Sequence, residues 1–177
     1  MAPNVLESLN SGVTDEEIHH LESVLGAQLP DDFIVFYKIH NGQISEGPSF
    51  IDCEEWLSFE GIEYQWKVWK ELLDGGAFSE GDFKSSPDIE VKNDWWHPCW
   101  IPITYDGSGN HYCLDLVPTK EGNHGQIIRM WHDDDIRPLI ASSFTAWIED
   151  YKNKLIRGQL IYSEDYFGII DEEELEN

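Results

Sequence analysis

The chain predicts an α+β fold, an antiparallel β-sheet laid out as a meander around a central hairpin and packed with about four helices. Three observations lead there. The segment Trp100 to Leu116 alternates β-prone and polar residues on either side of Asp106-Gly107-Ser108-Gly109-Asn110, whose glycines tolerate positive φ, so it reads as a hairpin. Four other stretches carry apolar residues at helical spacing with start and stop signals of their own. With 41% hydrophobic and 13% aromatic content in 177 residues, including eight tryptophans, one domain has ample material for a core without staples.

In chain order, Thr14 and Glu17 fit a capping box, and Ile18, Leu21 and Leu25 follow at helical spacing until Gly26. A second helix starts at Pro30-Asp31-Asp32, where proline and two acids suit an N-terminus. It continues through Phe33, Phe36, Tyr37 and His40 to Asn41-Gly42. From Gly47 to Phe59 the residues are β-prone but interrupted by acids, which predicts one or two short strands. Ile62, Trp66, Trp69 and Leu73 then place an aromatic stripe on a third helix ending near Gly75-Gly76, and the stripe reads as core.

Ala77 to Asp94 lacks periodicity and reads as a long surface connection. In the hairpin that follows, Tyr112, Leu114 and Leu116 share one face while His111, Cys113 and Asp115 share the other. Gln126 to Trp131 supplies the next strand, antiparallel to the second arm. Ser142 or Ser143 caps a last helix with Phe144, Trp147, Ile148, Tyr151 and Leu155 on one side. Acids accumulate beyond Arg157, so residues 1–160 are expected to form the domain and 161–177 a mobile acidic tail.

The 35 Asp and Glu against 11 Lys and Arg give a formal net charge of −24, which repels nucleic-acid phosphates and anionic lipid and favours encounter with a basic protein. Cys53, Cys99 and Cys113 are odd in number and without metal-type spacing, which suits reduced thiols. There is no signal-like start and no apolar run of membrane-spanning length, so a cytoplasmic location is expected.

No phosphate-binding glycine motif is present, and Ser108 sits in a turn rather than a nucleophile elbow. The run His132-Asp133-Asp134-Asp135 carries metal-ligand chemistry, but consecutive residues cannot all face one ion in regular structure. His111 and Cys113 share a strand face without anything to lower the thiol pKa. The expectation is therefore no catalytic residue, no cofactor and no metal, with binding carried by aromatic anchors at Trp95 and Trp96, unless both tryptophans are buried core, and by the charges of Asp133, Asp134 and Asp135.

Three segments resemble the SUKH superfamily of Smi/Knr-like domains. They are Leu29-Pro30-Asp31-Asp32-Phe33 running to His40-Asn41-Gly42, then Trp100-Ile101-Pro102-Ile103 with the hairpin to Leu116, and Gly125-Gln126-Ile127-Ile128 before Ser142-Ser143-Phe144-x-x-Trp147. The resemblance covers roughly residues 10–155. It implies helices against an antiparallel sheet. It also implies a non-enzymatic protein-binding role, first that of an immunity protein neutralising an intracellular toxin such as a basic nuclease domain. The alternative is a scaffold or regulator linked to cell-wall synthesis or signalling.

Overall fold

A computed structural model describes residues 3–79 and 83–173. A short α1 (Pro3–Glu7) precedes α2 (Asp15–Leu25) and α3 (Asp31–Tyr37). The capping box of α2 is formed: the Thr14 amide donates to Glu17 Oε2 at 2.7 Å and the Glu17 amide donates to Thr14 Oγ1 at 3.3 Å. Beyond it, β1 (Glu55–Trp56) leads into α4 (Phe59–Asp74), whose Ile62, Trp66 and Trp69 are buried as their spacing predicts.

The central sheet has the order β3-β5-β6-β8, with β3 at Trp100–Pro102, β5 at His111–Asp115, β6 at Gln126–Met130 and β8 at Leu139–Ala141. All its pairings are antiparallel, so the expected meander holds. At its tip Gly107 and Gly109 have φ of 88° and 110°. Asp106 Oδ1 accepts from the amides of Ser108, Gly109 and Asn110 at 2.7, 3.1 and 3.0 Å, so one carboxylate organises the turn. Between β3 and the turn the chain leaves the sheet, and β4 (Thr104–Tyr105) pairs with β1 instead.

Helices α3 and α5 (Phe144–Arg157) close over an aromatic core. Phe33 stacks on Tyr37 at 4.4 Å and meets Phe144 edge-on at 5.1 Å. The Tyr37 hydroxyl donates to the Leu57 carbonyl at 3.0 Å and accepts from Trp56 Nε1 at 2.7 Å, so the polar tips of both rings are satisfied inside. Ser143 is the N-cap of α5, its Oγ accepting from the Ala146 amide at 3.1 Å.

The segment 47–59 holds one short strand, β1, within the one or two expected, and Asp52 and Cys53, with left-handed φ of 50° and 56°, interrupt the extended run before it. Two expectations need correction. Leu155, placed on the buried face of the last helix, is 36% exposed. Residues 161–171 are no loose tail: β9 (Leu160–Ser163) and β10 (Gly168–Asp171) form an antiparallel hairpin that buries Leu160, Ile169 and Ile170. Ile169 and Ile170 lie between the acids and Leu160 ahead of them, so the stretch carries apolar residues that charge alone does not reveal. Glu174 and Glu176 lie outside the described residues. The connection 77–94 also holds β2 (Ser86–Pro87), parallel to β7 (Ile136–Arg137).

Candidate functional site

The expected anchor pair Trp95 and Trp96 splits. Trp96 is buried at 3% exposure and stacks on Trp69 of α4, with centroids 6.1 Å apart, so it is core and cannot reach a partner. Trp95 is half-buried. Its ring lies under Arg137, whose guanidinium carbon is 4.9 Å from the centroid, and Phe83 meets it edge-on at 5.0 Å.

Arg137 is fully buried and joins Trp95 to the acidic loop. Its Nε and Nη2 donate to the Trp95 carbonyl at 3.2 and 2.9 Å, while Nη1 donates to the carbonyls of Asp134 and Ile136 at 2.6 and 2.7 Å. Burial lowers its pKa to about 10, which keeps it charged at neutral pH. Nothing about the sequence around Arg137 marked it, since an arginine one turn beyond three aspartates reads as a surface charge.

Asp133, Asp134 and Asp135 are exposed as expected, and their side chains fan out. Asp133 Oδ1 is 3.7 Å from His132 Nδ1, Asp134 Oδ1 accepts from the Ile136 amide at 3.0 Å, and Asp135 Oδ2 accepts from Ser86 Oγ at 2.9 Å. They do not converge on one point. Among the described residues no group of three His, Cys, Asp or Glu side chains could hold a metal ion.

A second polar system runs across the sheet. Arg129 Nη1 is 2.5 Å from Glu54 Oε1, the Thr104 hydroxyl donates to Glu54 Oε2 at 2.6 Å, and the Tyr112 amide donates to Thr104 Oγ1 at 2.8 Å. Arg129 also sits 4.5 Å from the centroid of the Tyr112 ring. Burial pushes Glu54 up to about 7, partly offset by Arg129 and Thr104. The Tyr112 hydroxyl donates to Asp52 Oδ2 at 2.8 Å and so anchors one of the left-handed residues. Asp52 and Tyr112 face a cleft of about 550 Å³ that Trp147, Asp150, Tyr151 and Lys154 complete. Lys154 pairs with Asp150 at 3.2 Å, so the cleft supplies its own cation.

His111 and the thiols of Cys99 and Cys113 sit in environments that oppose their charged forms. His111 is buried; its Nε2 accepts from Trp69 Nε1 at 3.0 Å, and Nδ1 lies 2.6 Å from the Thr104 carbonyl, which makes Nδ1 the protonated nitrogen. Burial lowers its pKa to about 4, so the ring is neutral. Burial raises the Cys99 and Cys113 thiols, against thiolate formation.

Sequence comparison gives the setting for these residues. The model of the SMI1 / KNR4 family (SUKH-1) matches residues 12–150. The chain belongs to this family. Within it, the chain is 27% identical to the glucan synthesis regulatory protein of Neurospora crassa across 92% of this chain and 37% of that protein. It is 25% identical to the cell wall assembly regulator SMI1 of Saccharomyces cerevisiae across 94% of this chain and 40% of the relative. For the cell wall biosynthesis/cell cycle regulator smi1 of Schizosaccharomyces pombe the figures are 27%, 87% and 33%. The chain thus spans two fifths or less of these relatives. The SMI1/KNR4 match takes in α2 through the first half of α5, with the Arg129 and Arg137 systems inside it and the β9–β10 hairpin outside.

Proposed function

We propose that this chain is a non-enzymatic protein-binding domain of a regulator of cell-wall assembly, acting in the cytoplasm by holding other proteins. The observation that carries the reading is that the similarity to fungal wall regulators extends over 87–94% of the chain, so it takes in the whole domain and not one motif. The chemistry agrees, since the buried His111 and Cys113 serve packing, and the formal charge of −24 suits basic partners. Among the described residues no helix is long and apolar enough to cross a membrane.

The immunity-protein role suggested by the superfamily resemblance becomes the second reading. The same negative charge would speed capture of a basic toxin, but the relatives named above are wall regulators.

The test is a chimera in which this chain replaces the matched segment of the Saccharomyces regulator in cells lacking that protein. Restored resistance to wall-digesting glucanase supports the regulatory reading. A chimera that accumulates, folded, without restoring the wall overturns it.

A further inference from the structure

We propose that the groove between α3 and α5 is a docking site for an amphipathic helical segment of another protein, with leucine-like residues on one face and Lys or Arg along its edges. The groove holds about 330 Å³, with Phe36 and Phe144 at its base and Val35, Ile39 and Ile148 along its walls. Val35 of α3 and Ile39, in the turn just past the helix end at Tyr37, are 62% and 61% exposed, while Phe33 and Tyr37 of α3 are fully buried. The core takes Phe33 and Tyr37, and Val35 and Ile39 face solvent along this groove.

The groove is preformed. Asp32 Oδ2 accepts from the Thr145 amide at 3.0 Å and from Thr145 Oγ1 at 2.9 Å, which clamps the start of α3 to the start of α5. Phe36 meets Phe144 edge-on at 5.3 Å beneath. A rigid slot between two helices accepts the ridge of a third, and α3 alone is about 10 Å long, enough for roughly two turns of a partner helix.

Charge names the occupant. Asp31, Asp32 and Glu149 line the rim and no Lys or Arg does, in a protein of formal charge −24. Basic edges on the incoming helix would meet these acids and speed association. A second copy of this chain would bring the same acids face to face, which disfavours self-association there. The larger hollow beside α1 and β9 is apolar as well, but its lining carries no charge to identify what fills it.

The site rests on the protein-binding reading above, and the two can fail separately. The probe is a 14-residue peptide, helical, with leucines at i, i+3, i+4 and i+7 spacing and lysines beside them, labelled for fluorescence anisotropy; its counterpart carries glutamates instead. The intact chain should bind the lysine peptide at least about tenfold more tightly than the glutamate one. V35S/I39S, at exposed positions, should weaken binding by about tenfold or more. D31N/E149Q should flatten its salt dependence, and D133N/D134N/D135N should leave it unchanged. Equal capture of both peptides, no capture, or capture that V35S/I39S leaves intact overturns the site. A wild-type chimera that fails to restore the wall while peptide binding persists removes the regulatory reading and spares the groove. A restoring chimera with no peptide capture removes the groove alone.

Discussion

Arg129 and Arg137 are both largely withdrawn from water and both lie over aromatic rings, yet they are satisfied differently. Arg129 pairs with the carboxylate of Glu54, whereas Arg137 spends four hydrogen bonds on three backbone carbonyls. A carboxylate can take up a proton and a carbonyl cannot. The sheet-spanning pair is therefore tied to pH, and the clamp beneath Trp95 is indifferent to it. The acidic loop 133–135 can thus change its charge without loss of the support that Arg137 gives its backbone.

The comparison is broken most forcefully by removing each cation. Arg129→Met leaves Glu54 buried without a countercharge and should cost about 3–5 kcal/mol at pH 8 in urea unfolding. The loss should shrink below pH 7, where Glu54 is protonated. Arg137→Met leaves three carbonyls unpaired and should cost about 3 kcal/mol, with no change between pH 5 and 8. If the Arg137 loss varied with pH and the Arg129 loss did not, the contrast would be wrong.

Glu54 and His111 sharpen it further, because their shifts oppose. Glu54 has its pKa raised from 4.5 to about 7, so its folded form keeps a proton that the unfolded chain releases. Its contribution is complete below pH 4.5 and is lost as pH rises to 7. His111 is lowered from 6.5 to about 4, so its contribution is complete above 6.5 and is lost as pH falls to 4. Between 4.5 and 6.5 the two slopes offset each other, with Asp115, also raised by burial, on the side of Glu54. Glu54→Gln should uncover the histidine: stability should then climb with pH by up to about 1.4 kcal/mol per unit between 4 and 6.5. A Glu54→Gln profile parallel to that of the parent chain would show that Glu54 does not titrate as its surroundings require.

At the hairpin tip, away from both arginines, Gly109→Val should cost about 1 kcal/mol or more. Its φ of 110° excludes a β-branched residue, and the added Cβ would lie 3.4 Å from His132. The smallest stability effect belongs to D133N/D134N/D135N, which should stay within about 0.5 kcal/mol of the parent because these side chains are exposed. Association with a basic partner that docks on the 133–135 loop, away from the α3–α5 groove, should nevertheless slow in stopped-flow mixing, and its salt dependence should flatten.

Local patterns were strong enough to read most of the architecture. The capping box at Thr14, the spacing of Ile62, Trp66 and Trp69, and the turn at Asp106 to Asn110 each involve residues within a few positions of one another. The physics that shapes them acts at that range. The candidate interface was half legible. The exposure of Asp133, Asp134 and Asp135 followed from their charge, but Trp95 and Trp96 are adjacent and equally apolar, and no local rule says which is core.

Sequence by itself determined the four longer helices, the hairpin and the strand that extends it into a meander, and the acidic field, because periodicity, turn chemistry and charge are properties of near neighbours or of the whole composition. Tertiary structure alone decided that Trp96 stacks on α4, that Arg137 ties Trp95 to a loop forty residues away, and that residues 160–171 fold back as a hairpin. It also left Val35 and Ile39 facing solvent across from α5. These outcomes depend on which surfaces meet once the sheet and helices are assembled, and burial of one apolar face over another is set by contacts remote along the chain.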